Sequence, residues 1–296
     1  MDIKAFLNKY SQSLQGKTLV LTGASGGLGG ELCRYLAPLG GKLILINHRP
    51  EKGQKLLQQL KTQNPQLDAQ LISTDFQNIG AVKELCERLK EEKIDYLIHN
   101  AGAYYLPGQK SETGFDTVFQ INFLSPYYIT KELLPILEQR KAKVIITGSI
   151  AHGMVRALKE DADYSSCEMQ EAVYGNSKRY LMYAHKELLK ITSVKLAIAH
   201  PGISPTGITE NYPELIRKIT APSMKLLFMP PKKACLSLLR AVFEDVPEMA
   251  WIGPEHLSIW GAPAIRALPE CSYEERKFIF KTAEELYGKI KNFNEK

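Results

Sequence analysis

The sequence predicts an α/β fold, a doubly wound parallel sheet of about seven strands covered by helices on both faces and built as a single domain spanning 1–296. Three observations carry that expectation. Short β-branched or leucine-rich runs alternate with amphipathic stretches along the chain, and parallel neighbours need crossover helices between them. The first run ends in a glycine-rich turn that opens at once into a helical pattern, the arrangement that brings backbone N–H groups against an anion. Finally, 44% hydrophobic and 24% charged residues match an ordinary globular chain, roughly 45–50% apolar and about 25% charged, and exclude a disordered or fibrous one. At roughly 150 residues per domain the length would admit two, but no linker, low-complexity tract or repeat interrupts the alternation.

In chain order, the segment 1–16 places Ile3, Phe6, Leu7 and Leu14 at near-helical spacing, a short amphipathic helix packed on the body. Strands are predicted at 18–22, 42–46, 70–73, 96–99, 144–147 and 195–200, each too short for a helix and bounded by turn residues or charged helix ends. Helices are predicted at 30–39, 51–62, 79–91, 116–140 and 173–192, where apolar residues recur at helical spacing. Trp251-Ile252-Gly253-Pro254 leads a last strand and turn, and Trp260 reads as an interface or core aromatic.

The charge excludes more than it assigns. Thirty-eight Lys and Arg against 32 Asp and Glu give +6, and the cations alternate with acids, as in Glu51-Lys52 and Lys83-Glu84, so they describe solvated helix faces and no nucleic-acid patch. Five widely spaced cysteines without a CxxC pair, and no apolar leader at the start, point to reduced thiols in a cytoplasmic protein. No run approaches the roughly 18 apolar residues of a membrane span. Six scattered histidines lack metal-ligand spacing, so no metal is expected.

The turn Thr22-Gly23-Ala24-Ser25-Gly26-Gly27-Leu28-Gly29-Gly30 is the strongest single feature. Glycines between strand and helix let the backbone approach a dinucleotide pyrophosphate and aim the helix N-terminus at its charge. Two registers fit, Gly23-Gly27-Gly29 and Gly23-Gly26-Gly29. At the end of the second strand an acid would bind the ribose 2′-hydroxyl and a base the 2′-phosphate. Here Asn47-His48-Arg49 follows, with no acid before Glu51, which favours NADP(H) over NAD(H), with Arg49 as the phosphate partner and Asn47 or His48 assisting. Asp75, followed by Phe76, stands where a third-strand carboxylate meets the adenine, or caps a loop or helix.

Tyr174 and Lys178 lie four apart on one helix face. A tyrosine titrates near ~10, too high for acid/base work near neutrality, and a close ammonium favours the phenolate; Lys178 is therefore expected to lower the Tyr174 pKa. Ser149 ends the fifth strand, on the side where open α/β sheets bind ligands, and its hydroxyl can hold a substrate carbonyl beside the tyrosine.

Taken together, these motifs resemble the short-chain dehydrogenase/reductase family over nearly the full chain. TGxxxGxG matches Thr22–Gly29, the NAG motif Asn100-Ala101-Gly102, the helix asparagine Asn122, the catalytic serine Ser149, YxxxK Tyr174 and Lys178, and the PG element Pro201-Gly202 with Thr206. The resemblance implies a Rossmann-like domain in which Tyr174 exchanges a proton with the carbonyl or alcohol oxygen, Ser149 polarises that oxygen, and Lys178 binds the nicotinamide ribose. It also implies that Asn122 keeps a water linking the lysine to solvent. Ser25, Leu28, Ile203 and Thr206 complete the implied cofactor contacts. The 25-residue separation of Ser149 and Tyr174 is about twice the family's commonest spacing, and the insertion 151–172 is similar to that of the retinol-dehydrogenase-like subgroup, which implies a lipophilic carbonyl or alcohol substrate. The register with Gly26 is typical of the extended branch of sugar-nucleotide epimerases and dehydratases, a competing reading with a catalytically silent NADP-binding sensor. A homodimer or homotetramer is implied, unless the insertion blocks an interface and leaves a monomer. Prolines and apolar residues in 203–232 read as a substrate lid or as core, and Tyr104 and Tyr105 as pocket lining or packing.

Overall fold

The computed structural model describes residues 3–11, 13–106, 108–157, 161–163, 166, 169–202, 229–269 and 271–293. Ile203, Thr206 and nearly all of the expected lid lie outside the described residues.

Along the chain, helix α1 (Ile3–Lys9) is followed by β1 (Thr18–Thr22), α2 (Gly27–Leu36), β2 (Lys42–Asn47), α3 (Pro50–Gln63), β3 (Ala69–Ser73), α4 (Ile79–Lys90) and β4 (Ile94–His99). The one-turn α5 (Thr117–Phe119) runs through a π-helical segment (Gln120–Leu124) into α6 (Ser125–Gln139). Next come β5 (Lys143–Thr147), α7 (Gln170–Leu189), β6 (Lys195–Ala199), α8 (Pro231–Ala234), α9 (Leu236–Phe243), β7 (Ala250–His256), β8 (Trp260–Ala267) and α10 (Tyr273–Lys291).

The strands form one sheet in the order β3-β2-β1-β4-β5-β6-β7-β8, parallel except for β8, which runs antiparallel to β7. The sheet is thus doubly wound, with one strand more than the sequence pattern predicts. Strand β8 carries Gly261, Ala262, Pro263 and Ala264, small residues and a proline that hide it from a reading based on β-branched alternation. Trp260, at its start, is 55% exposed and tilts against His256, so it is no core aromatic.

Central strands of a parallel sheet are buried on both faces and read as continuous apolar runs. Alternate residues supply the two cores: Val20, Ile44, Ile46 and Leu97 pack toward α4, α6, α7 and α10, while Leu19, Leu21, Leu43 and Leu45 pack toward α2 and α9. Truncating one of these to alanine is expected to cost about 2–5 kcal/mol. Helix α7 is buried almost all round, because α10 lies against the side turned away from the sheet. That burial holds Tyr174 and Lys178 rigidly at the carboxyl ends of β4 and β5.

Candidate active site

Gly23 adopts φ +67° and ends β1 in a turn that passes directly under the 100–102 segment. A Cβ on Gly29 would stand 2.2 Å from the Gly23 carbonyl oxygen, and one on Gly23 would stand 2.7 Å from Ala101 Cα. Thr22 Oγ1 accepts from the amides of Asn100 (3.1 Å) and Ala101 (3.0 Å), and Asn100 Nδ2 donates back to the carbonyls of Thr22 (3.1 Å) and Gly23 (3.2 Å). Helix α2 starts at Gly27 with no side-chain cap, so its first-turn N–H groups stay available to an anion. Ser25 and Leu28 border this cradle and are part-exposed. A backbone cradle with no room for a Cβ fits a nicotinamide dinucleotide pyrophosphate.

At the end of β2 the three candidate residues separate. Asn47 is 2% exposed, donates from Nδ2 to the Arg49 carbonyl and packs against Gly53 of α3. Its Nδ2 is engaged in holding the turn, whereas His48 and Arg49 are exposed. His48 Nε2 lies 3.6 Å from Asp75 Oδ2, while Asp75 Oδ1 accepts from the Gln77 amide at 2.9 Å; the loop-capping role of Asp75 is thus present in the structure. Phe76 packs its ring into the core and offers its carbonyl to Ser125 Oγ at 2.7 Å.

Tyr174, Ser149, Lys178 and Asn122 converge beyond β4 and β5. The Ser149 hydroxyl faces the Tyr174 phenol, opposing part of the rise in its pKa, and accepts from the Ala151 amide at 3.2 Å. Lys178 Nζ donates to the Thr147 carbonyl at 3.1 Å and stands 5.8 Å from the Tyr174 ring centroid. A Cβ on Gly102 would come within 3.5 Å of that ammonium, which places the NAG turn against the lysine. Asn122 sits within the π segment, its Nδ2 donating to the Ala103 carbonyl (2.8 Å) and Ser177 Oγ (3.0 Å) and its Oδ1 accepting from the Ala103 amide (2.7 Å). Both amide hydrogens are taken, so a relay water would have to use its backbone carbonyl or the spare Oδ1 lone pair. Pro201 and Gly202 close the same end at the exit of β6, both buried.

The electrostatics differ from the sequence expectation. Burial pushes the Tyr174 phenol up to about 12, and the Ser149 hydrogen bond offsets only part of that rise. Burial likewise pushes Lys178 down to about 8. Desolvation penalises both charged forms, and the ammonium is hydrogen-bonded to a carbonyl instead of the phenol, so it does not lower the tyrosine. The phenol is therefore held protonated, the state that can donate to a carbonyl oxygen.

Around Tyr174 lies an apolar cluster. Tyr104 packs edge-on at 4.7 Å between ring centroids, with Leu106, Ala151 and Val155 beside it. Met154 and Met169, which flank Val155 and the start of α7, are 69% and 65% exposed.

The profile of the short chain dehydrogenase family matches residues 17–214, about two thirds of the chain. The chain belongs to that family. Retinol dehydrogenase 12 of Mus musculus is 29% identical over 204 residues, covering 67% of this chain and 65% of that relative, just under two thirds of its length. Polyprenol dehydrogenase of Homo sapiens is 23% identical over 267 residues, covering 85% and 79%. The crystal structure of a protein from Mycobacterium paratuberculosis shares the fold at a TM-score of 0.75 and 21% identity, covering 94% of this chain and 97% of that one.

In this short-chain dehydrogenase the serine loop is tied down through His152 by Arg179 and Glu275, which the sequence motifs do not include. His152 Nδ1 donates to the Ser149 carbonyl, and Arg179 Nη1 donates to the His152 carbonyl at 2.9 Å. Arg179 in turn donates from Nε (2.7 Å) and Nη2 (2.6 Å) to the two carboxylate oxygens of Glu275, in the first turn of α10. Both partners are nearly buried, at 3% and 11% side-chain exposure. The only local signal was Ser272, whose side chain caps the Glu275 amide at 3.1 Å; nothing in spacing links Glu275 to Arg179, 96 residues earlier.

Proposed function

We propose that this oxidoreductase interconverts a lipophilic aldehyde or ketone with its alcohol, using NADP(H). The observation that carries the reading is the convergence of Ser149, Tyr174 and Lys178 at the sheet end where the glycine cradle also opens. A bound nicotinamide dinucleotide would supply or accept the hydride. The chain's own residues then have defined tasks. Gly23, Gly27 and Gly29 admit the pyrophosphate, and Arg49 meets the 2′-phosphate. Ser149 holds the carbonyl oxygen, and Tyr174 gives it a proton from the phenol that burial keeps protonated. Lys178 holds the ribose and, once the phenol has lost its proton, stabilises the phenolate.

The apolar cluster of Tyr104, Leu106, Ala151 and Val155 supports a lipophilic substrate, as do relatives named for retinol and polyprenol. The buried, unpaired Cys33, Cys86, Cys235 and Cys271 agree with a reducing, cytoplasmic location. The test is NADPH oxidation against a panel of lipophilic aldehydes and ketones, with NADH alongside. Turnover with NADPH that disappears in Tyr174→Phe is the expected result; equal use of NADH would refute the cofactor assignment, and persistent turnover in Tyr174→Phe the tyrosine's role.

A further inference from the structure

At the opposite end of the sheet, where the strands begin, lies a cleft of about 300 Å³ with a charge pattern the reaction does not use. Lys17 precedes β1, Asp95 opens β4, Arg140, Lys141 and Lys143 join α6 to β5, Lys195 opens β6, and Asp245 follows α9. Five cations thus face two carboxylates, an excess of three positive charges. Asp95 is already saturated by Arg140 (2.7 Å), Lys17 (3.3 Å) and the Thr18 amide (3.0 Å). Asp245 is shared between Lys195 at 2.8 Å and Lys143 at 3.8 Å, and Lys143, 7% exposed at the cleft floor, also rests on the Glu244 carbonyl at 2.6 Å. Lys141 makes no ion pair among the described residues.

Lys141 also stands in a conformation that costs the fold. It occupies the position just past the α6 cap, with φ +48°, and its amide donates to the Glu138 carbonyl while that of Ala142 donates to the Leu137 carbonyl. This is the helix-ending pattern in which glycine is the usual occupant, because a Cβ is strained in the left-handed region. A lysine there forgoes stability and places an ammonium at the mouth of a cleft with surplus positive charge. A left-handed backbone kept by a non-glycine residue at a cleft is a feature that ligand sites share.

We propose that this cleft binds a phosphate-bearing anion, remote from the reaction site, with Lys141 as its unneutralised contact and Arg140, Lys143 and Lys195 as its walls. Two or three negative charges are needed to balance it, which suits a pyrophosphate or a phosphomonoester dianion better than a carboxylate. Burial holds Lys143 down to about 8, so an anion seated on it binds in the protonated form of that lysine.

The test is calorimetric titration of the full chain with inorganic pyrophosphate, in parallel with sedimentation on phosphatidylcholine vesicles doped with phosphatidic acid. Because pyrophosphate can also lodge in the glycine cradle, wild type is compared with Lys141→Gly and Gly29→Ala. Lys141→Gly should raise Tm, by removing the strain, and weaken anion binding about fivefold, the effect of losing one cation beside a phosphate surface. Gly29→Ala should remove any cradle binding and leave the component that Lys141→Gly weakens. Binding of soluble pyrophosphate identifies a free phosphate as the ligand, and retention on vesicles alone identifies a lipid headgroup; either, if weakened by Lys141→Gly, supports the site. Binding that survives Lys141→Gly but not Gly29→Ala, absence of binding to both probes, or a Tm that falls in Lys141→Gly overturns it.

Discussion

Replacing Glu275 with glutamine tests whether the C-terminal helix governs the reaction site through one ion pair. The carboxylate accepts from Arg179 Nε and Nη2, from the Ala157 amide at 3.0 Å and from Arg156 at 3.3 Å. Glutamine keeps the shape but offers one acceptor oxygen, and its NH₂ must face a donor. Removing one partner of a buried pair typically costs about 3–5 kcal/mol. At about 2–4 °C per kcal/mol for a chain somewhat smaller than this one, Tm should fall by roughly 6–20 °C. Arg179 then loses its anchor, the His152 carbonyl loses its fixed donor, and Ser149 is no longer held at one geometry. Steady-state carbonyl reduction, measured well below the lowered Tm, should show kcat reduced about tenfold or more with a small change in KM for NADPH, because misplacement by about 1 Å can cost as much as 10²-fold. A large fall in Tm with kcat unchanged would refute the coupling, and an unchanged Tm would refute the buried pair itself.

The same carboxylate has a pH signature. Its pKa is lowered from 4.5 to about 2, so its contribution is complete above pH 4.5 and is lost as pH falls toward 2; the stability gap between wild type and Glu275→Gln, followed by acid unfolding, should narrow over that window. Lys178, lowered from 10.5 to about 8, gives a slope of the same sign at higher pH, because between those values the unfolded chain holds a proton the folded chain has released, but its burial as an ammonium opposes folding at neutral pH. Lys178→Met should therefore raise Tm at pH 7 by a few degrees while abolishing turnover, and a lower Tm would contradict the desolvation argument. Tyr174→Phe should reduce kcat about 10²–10⁴-fold with little change in Tm or in cofactor affinity measured by fluorescence. Gly29→Ala drives a Cβ to 2.2 Å from a backbone oxygen, so a cost of about 1–3 kcal/mol and loss of NADPH binding are expected; unaltered binding would remove the cradle from the argument.

Much of this architecture was legible because local pattern and tertiary role coincide. The runs at 18–22, 42–46 and 144–147 each carry three or four consecutive apolar residues, as central parallel strands do, and the observed strands differ from the reading by a residue or two. Helix α2 begins at Gly27, three residues before the reading placed it, because glycines lower propensity while a helix start tolerates them. Strand β8 was missed because pairing with β7, not its own small residues, makes it a strand. The motifs pick out Ser149, Tyr174, Lys178 and Asn122, which the structure brings together, but not the balance of their charges: proximity in sequence suggested an ammonium acting on a phenol, and only the burial of both reveals that desolvation dominates. His152, Arg179 and Glu275 form a chain through space that no spacing rule connects.

The π segment at Gln120–Leu124 has a further consequence. A helix that closes one turn with five-residue hydrogen bonds accommodates one residue more than a regular helix of the same rise, so the segment acts as a one-residue frameshift written into α5 and α6. Deleting a residue such as Ile121 would restore an unbroken helix with better local geometry. The flanking turns would stay nearly in phase, because the segment holds one residue more over the same rise, but Asn122 lies inside it and would be re-aimed away from Ala103 and Ser177. Local regularity and the geometry around Lys178 are thus alternatives at this point of the chain, and the native fold has the irregular one.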